Sequence, residues 1–187
     1  MPSTSTAICN SALAKLGAER ILSIDDNSAR AKLMKEQYAK IRDELLYSHP
    51  WNFSIKRTTL AAAVTPPLFD YGFSYPLPAD CLRVIGTDLP PEVRWQVEGR
   101  NLICDFNAVK VKYISLVLDE AQFTPGFVEL FACKLASDLA FSVTQSSTVE
   151  ANAYKKYEEK LRQIRSFDAQ ESNGDRVYSD GWLNSRS

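Results

Sequence analysis

The spacing of apolar residues changes from a helical period to a strand period and back again along this chain. Apolar residues recur every three or four positions from Ile8 to Leu45, alternate with polar residues between 51 and 113, and regain helical spacing from Phe127. A helix buries a stripe with a period of 3.6 residues, whereas a half-buried strand buries every second side chain. The order predicts a mainly helical α+β protein, with two helices, a central antiparallel β insertion over residues 51–118, and two further helices.

We predict the first two helices over residues 4–17 and 28–47. Thr4 and Ser28 can cap exposed backbone amides with their side-chain oxygens, and Gly17 is placed to end the first helix. The inward stripes consist of Ile8, Cys9, Ala12, Leu13 and Leu16 in the first helix and of Leu33, Met34, Tyr38, Ile41 and Leu45 in the second.

The β insertion begins with alternation in residues 51–55, which predicts a half-buried strand. Residues 61–68 are expected to form a loop or an extended crossing. The prolines in residues 75–78 permit only edge or turn geometry, and residues 81–85 form another short strand candidate.

The clearest alternation lies in residues 93–97, 102–106 and 109–113, with turns expected at Gly99 and Asn107. This pattern predicts a three-stranded antiparallel meander. Such a sheet cannot bury both faces alone, so we expect helices or neighbouring subunits to cover one of them. No second core is expected, and residues 1–169 are predicted to form a single domain.

The last two helices are predicted over residues 125–145 and 149–168. The first of them opens after Thr124 and is apolar around most of its circumference, which indicates a central helix. The second is capped by Thr148 in this interpretation. Its narrow apolar stripe is expected to be core rather than interface, and consists of Tyr154, Tyr157, Leu161, Ile164 and Phe167.

Residues 170–187 are mostly polar and predict an extended C-terminal tail, because such a segment has too little apolar content to fold alone. Isolated apolar side chains nevertheless occur near its end. We expect them to dock on a partner: Val177, Tyr178, Trp182 and Leu183.

Charge and targeting features exclude several protein classes. The net charge is −1, from 22 basic and 23 acidic residues, so nothing in the balance predicts attraction to nucleic acid or to an anionic membrane. The first residues lead us to expect no signal peptide, and no apolar run approaches the roughly 20 residues that cross a bilayer. The four cysteines lack C-x-x-C spacing, which predicts buried thiols in a reducing compartment such as a cytoplasm.

Catalytic, cofactor-binding and metal-binding residues are all predicted to be absent. The single histidine, His49, stands at a helix end, where contact with the last carbonyls or with solvent is the usual role. No glycine-rich phosphate loop or nucleophile elbow occurs. Lys110, Lys112 and Tyr113 have the mixture of a nucleic-acid platform, but strand alternation explains the two lysines as a solvated face.

Several motifs follow one another in a characteristic order: residues 7–13 (AICNSAL) with 16–17 (LG), 42–46 (RDELL) with 49–53 (HPWNF), 75–84 (YPLPADCLRV), 97–100 (VEGR), and Trp182. In order and spacing the chain resembles the tail tubular protein A and head-to-tail adaptor (connector) family of tailed bacteriophages. The resemblance covers nearly the whole length.

The resemblance implies a structural virion protein at the head–tail junction, assembled in the host cytoplasm. Members of the family form a ring of twelve subunits beneath the portal. The implied partners are the portal protein, a tail or nozzle protein, neighbouring copies of the chain, and DNA that crosses the lumen without sequence-specific binding. No membrane partner is implied.

Open strand edges in the β insertion are the expected ring or subunit interfaces, because unpaired edges invite pairing with another chain. The candidate residues are Arg94, Trp95, Gln96, Lys110 and Lys112. The tail is expected to dock on the portal or on an adjacent subunit.

Two other function classes stay open at the level of sequence. One is a small DNA-associated or assembly-chaperone protein that binds a partner transiently. The other is a carboxylate-dependent hydrolase, because its two acidic residues need not be close in sequence. A cleft that gathers two carboxylates from distant segments is the feature to look for.

Overall fold

The computed structural model describes residues 4–171. Within this range the chain is an α+β protein with four α-helices and two antiparallel three-stranded sheets, which confirms the predicted fold class. No helix between residues 4 and 171 is long and apolar enough to cross a membrane. The predicted docking side chains of the tail lie outside the described residues: Val177, Tyr178, Trp182 and Leu183.

The elements follow one another in the expected order. The helices are α1 (Ser5–Lys15), α2 (Ala29–Ser48), α3 (Pro125–Thr144) and α4 (Ser147–Gln170). The strands are β1 (Ile55–Leu60), β2 (Phe73–Pro76), β3 (Cys81–Thr87), β4 (Trp95–Glu98), β5 (Asn101–Cys104) and β6 (Val109–Ser115).

Helix ends were well predicted because their determinants are local. Thr4, Ser28 and Thr124 each accept a hydrogen bond from the backbone N–H three residues ahead, at 3.2, 3.2 and 3.3 Å. Gly17 adopts a left-handed φ of +67° just after α1. The predicted cap of α4 is wrong: Ser146 caps that helix, so Thr148 lies inside its first turn.

Helix α3 is the central helix, as predicted, and it contacts α1, α2 and α4. Phe127 and Phe131 are fully buried along it, and Trp51 packs edge-on against Phe127 with ring centroids 5.3 Å apart. The stripe of α4 is core only in part. Ile164 is buried, whereas Tyr154 and Phe167 are each 52% exposed.

The strand predicted over residues 51–55 is wrong for its first part. Residues Asn52–Ser54 form a 3₁₀ turn, and β1 begins at Ile55. The alternation misled because Trp51 belongs to the helical core instead. Its indole N–H donates to the carbonyl of Leu45 at 2.8 Å, so the ring fills the space at the end of α2.

The predicted meander is also wrong. Strands β4 and β5 form the expected hairpin, with Gly99 at a left-handed φ of +55° in the turn, but β6 does not pair with β5. It lies between β1 and β3, with Ile55 opposite Ile114 and Leu60 opposite Val109. The resulting sheets are β1–β6–β3, called sheet A, and β2–β5–β4, called sheet B. Strand β6 thus pairs with β1 and β3, which are distant in sequence, although local alternation predicts that it pairs with the adjacent β4–β5 hairpin.

The expectation of no second core is wrong as well, because the two sheets cover one another. Buried side chains from both sheets form a cluster separate from the helical core: Leu60, Tyr75, Cys81, Leu102, Cys104, Val109, Val111 and Tyr113. Sheet B therefore covers the inner face of sheet A, a role that we had expected helices or neighbouring subunits to fill.

Replacing the central ring of the helical core should be strongly destabilising. Phe127→Ala is expected to lower the free energy of unfolding by about 3–5 kcal/mol, because the cavity left among packed aromatic rings cannot collapse fully. Urea unfolding followed by tryptophan fluorescence measures the loss. Leu22→Ala is the control, since Leu22 is 95% exposed and should change stability by less than about 0.5 kcal/mol. A loss below about 1 kcal/mol for Phe127→Ala would contradict this packing.

Candidate protein-interaction surfaces

Strand β4 is an open edge of sheet B, as expected from the sequence of the β insertion. All four of its residues are exposed, and Trp95 and Val97 retain 37% and 43% exposure although they share a face with buried residues of β5. Arg94 is exposed immediately before the strand, and the Gln96 side chain donates to Glu98. Three of the predicted interface residues therefore lie together on an edge able to accept another strand.

Lys110 and Lys112 do not lie on an edge, so this part of the prediction is wrong. Both belong to β6, the central strand of sheet A, and their side chains point away from sheet B. The error follows from the pairing of β6, since a strand paired on both sides has no free backbone edge. Their surface is the outer face of the sheet rather than its rim.

The loop between β1 and β2 was missed as a binding candidate. It carries three strongly exposed apolar side chains, with Val64 fully exposed, Leu68 at 97% and Phe69 at 75%. The sequence contains a usable indication, because apolar residues flank the pair Pro66–Pro67, where no strand or helix could bury them. Exposed apolar side chains grouped in this way mark contact sites.

The loop and the open edge are neighbours. Tyr71 Oη lies 3.5 Å from Gln96 Oε1 of β4, and Gly72 N donates to Asp105 Oδ1 at 2.8 Å just after β5. We call residues 61–72 together with β4 the β tip. It combines unpaired backbone with apolar side chains, the two features that strand-addition interfaces use.

The side chain of His49 remains 21% exposed to solvent, as expected, but its hydrogen-bonding partner lies on α4 rather than among the last carbonyls of α2. Its Nε2 lies 3.1 Å from Asp168 Oδ2 on α4, and its ring packs edge-on against Trp51 at 4.4 Å. Asp168 Oδ1 also accepts from the backbone N–H of Asn52 at 3.0 Å. One carboxylate of α4 therefore fixes the segment that leads from α2 into β1.

The His49–Asp168 pair has the composition of a catalytic dyad, but within residues 4–171 the adjacent Ser48 hydroxyl is not directed at it. The neighbouring hydroxyl, Ser48 Oγ, donates to the carbonyl of Leu45 at 2.9 Å instead. Burial lowers the pKa of His49, and the positive charges of Arg165 and Arg83 act in the same direction, against the opposing effect of Asp168. The arrangement supports positioning of α4 rather than proton transfer to a substrate.

The cysteines are buried as predicted, and all four are free thiols. Burial raises the pKa of the Cys9 thiol to about 12, which opposes thiolate chemistry. Among residues 4–171 no group of three or more His, Cys, Asp and Glu side chains is arranged to hold a metal ion.

A cleft of about 550 Å³ between α1, α3 and α4 gathers Glu129 and Glu159, two carboxylates from distant segments. Three lysines line the same cleft, and Lys15 Nζ lies 2.5 Å from Glu129 Oε1. A carboxylate held by an ammonium group is poorly placed to donate a proton as a hydrolase requires. Among the charged residues that line this cleft, one ion pair, Lys15–Glu129, links α1 to α3.

Comparison of the sequence with protein-family models gives no match, and comparison with curated proteins gives none either.

The partly buried His49 should make stability depend on pH. Because the folded-state pKa of His49 lies below the unfolded value of about 6.5, its contribution is present above pH 6.5 and is lost as pH falls through the lower folded pKa. Wild type should therefore lose stability between pH 7.5 and pH 5 more steeply than His49→Gln, measured as the urea midpoint at each pH. Parallel profiles for the two proteins would contradict the assigned direction.

Proposed function

We propose that this chain is a non-enzymatic structural virion protein, an adaptor whose copies form a ring, dodecameric by resemblance, between the portal and the tail of a bacteriophage. The observation that carries the proposal is the β tip. Among residues 4–171, three of the four most exposed large apolar side chains lie in residues 61–72, namely Val64, Leu68 and Phe69, and β4 adds an unpaired strand edge. Exposed surface of this kind is what a protein needs when its role is to contact neighbours.

The division of the fold supports the same role. The helices bury their apolar stripes against each other, and the sheets bury theirs separately. Such a molecule can hold neighbours through one part without disturbing the core of the other. We assign subunit packing to the helices and contact with an adjoining component to the β tip.

The charge balance supports a conduit rather than a DNA-binding role. A channel with a strong basic excess would retain passing DNA through phosphate contacts. This chain has a net charge of −1. In the proposed ring, DNA crosses the lumen without sequence-specific binding, and the portal and a tail or nozzle protein are the stable partners.

The β tip should be required for head–tail joining. Phe69→Asp places a charge on an apolar contact residue that is 75% exposed, so the fold should tolerate it while joining drops at least about tenfold, equivalent to about 1.4 kcal/mol of contact energy. Joined particles are counted by electron microscopy after portal-bearing heads, tails and the purified protein are mixed.

Leu22→Asp is the matched control for this experiment, because it introduces the same charge at a strongly exposed apolar residue outside the β tip. It should leave joining unchanged. Equal joining with Phe69→Asp and wild type would remove the β tip from the proposal.

The tail supplies a second test, which addresses the ring directly. Wild-type protein mixed with portal rings should give density of twelve-fold symmetry, whereas a chain ending at Asn173 should give none, because the anchors are then missing: Val177, Tyr178, Trp182 and Leu183. Unchanged circular dichroism and melting temperature would show that truncation spares the fold. Normal rings from the truncated chain would refute tail docking, and transient binding by wild type without a ring would favour the chaperone alternative.

A further inference from the structure

The outer face of sheet A contains a pair of like charges at directly opposed positions. Arg57 of β1 faces Lys112 of β6 in the antiparallel register. Side chains opposed in this way have their Cβ atoms roughly 4.5–5.5 Å apart, and like charges there are destabilising. Within residues 4–171 neither cation has an acidic partner, so the fold itself does not compensate the repulsion.

The neighbouring lysine shows what compensation looks like on the same face. Lys110 Nζ lies 3.3 Å from Asp88 Oδ2, and its backbone N–H donates to Asp88 Oδ1 at 2.7 Å. These hydrogen bonds and the ammonium group hold the pKa of Asp88 below its usual range. One cation is thus neutralised, while the pair Arg57 and Lys112 is left for something else.

The third strand leaves space beside this pair. Gly86 of β3 lies opposite Lys112, next to an irregularity in the pairing of β3 that follows Val84. A Cβ built on Gly86 meets no atom within 4 Å, and the backbone there does not have a positive φ. Neither crowding nor backbone conformation therefore requires glycine. Gly86, Arg57 and Lys112 are among the residues that line a cavity of about 560 Å³ at this point.

As residues 4–171 form it, the outer face of sheet A is open at the end that holds Arg57 and Lys112. Ile114 follows Lys112 by two residues on the same face and is fully buried, and α2 contacts both β3 and β6. The helices therefore cover one end of the outer face. At the other end Thr59 is exposed beside Lys110, with its hydroxyl available as a donor.

We propose that this groove binds the carboxylates of a short acidic segment of a partner protein. Arg57 offers a planar fork that matches a carboxylate with two parallel hydrogen bonds, and Lys112 adds a second positive charge across the strand pair. The bound carboxylate replaces the missing counter-charge and relieves the repulsion. The cavity volume is suited to one or two side chains.

The groove suits an acidic peptide better than a nucleic acid. A phosphodiester chain needs a continuous basic stripe, whereas this groove offers two uncompensated cations beside the Lys110–Asp88 ion pair. Two uncompensated cations match one or two carboxylates. The inference does not depend on ring formation, and if the adaptor proposal holds, the segment belongs to one of the neighbours in the assembly.

Binding is tested on the full chain by titrating ¹⁵N-labelled protein with capped Gly-Glu-Glu-Gly peptide and following amide shifts. Shifts should concentrate at Arg57, Gly86 and Lys112. Arg57→Gln and Lys112→Gln should each weaken binding about tenfold, whereas Lys40→Gln on α2, an exposed lysine, should not change it. A Gly-Gln-Gln-Gly peptide that binds equally well would overturn the proposal, as would a 12-nucleotide single strand or inorganic phosphate that binds the same amides more tightly.

Stability supplies an independent measurement. Without peptide, Arg57→Gln should raise the melting temperature at low salt, and the gain should shrink as salt screens the repulsion. A residue that merely supports the fold would lower it instead, which would contradict the proposed role.

Gly86→Leu separates the cavity from the charges. It should fill the open space and abolish peptide binding with both cations present, while circular dichroism stays unchanged. Undiminished peptide binding by a folded Gly86→Leu protein would place the ligand elsewhere and refute the groove.

Discussion

The aromatic cluster at the base of the β insertion is the contact on which the rest of the structure depends. Phe53 comes just before β1, and Phe123 comes just before α3. Their ring centroids lie 5.8 Å apart, and each centroid lies 5.0 Å from that of Phe127 in α3. The chain leaves the helices and returns to them through rings that touch each other. This closure holds both ends of a long insertion on one helix, so the sheets can form a separate core without detaching from the helical one.

The sequence predicts what is local and fails where partners are distant. Caps such as Ser28 and the apolar face of α3 are set by residues within a few positions, and both were confirmed. Strand β6 illustrates the opposite case. Its alternation is real, but the partner β1 lies about fifty residues earlier, and no local feature favours β1 over the adjacent hairpin. Trp51 alternates like a strand residue although its indole is required at the end of α2.

The candidate surfaces also differ in whether local sequence or distant strand pairing determines them. The place of Trp95 on a strand beside a turn follows from alternation and Gly99, so it was within reach of the sequence. Its exposure was not, because alternation groups Trp95 with the apolar face of the hairpin. The opposition of Arg57 and Lys112 appears only once the register is known, because 55 positions separate them in sequence. The apolar loop was overlooked for a different reason. Prolines predict that residues 61–68 form a loop or an extended crossing. That prediction says nothing about a binding role for the apolar side chains of the segment.

Exposed apolar side chains occur in both parts of the molecule, but the β insertion adds a pair of opposed cations. The helices bury Phe127 but leave Tyr154 and Phe167 half exposed. The β insertion exposes Leu68 and Phe69 more strongly and also opposes two cations. Each feature is a surface that another molecule can cover, and the two differ in chemistry: apolar burial suits the β tip, and carboxylates suit the outer face of sheet A. In our proposal these two contacts on one insertion belong to two neighbours in an assembly rather than to one transient partner.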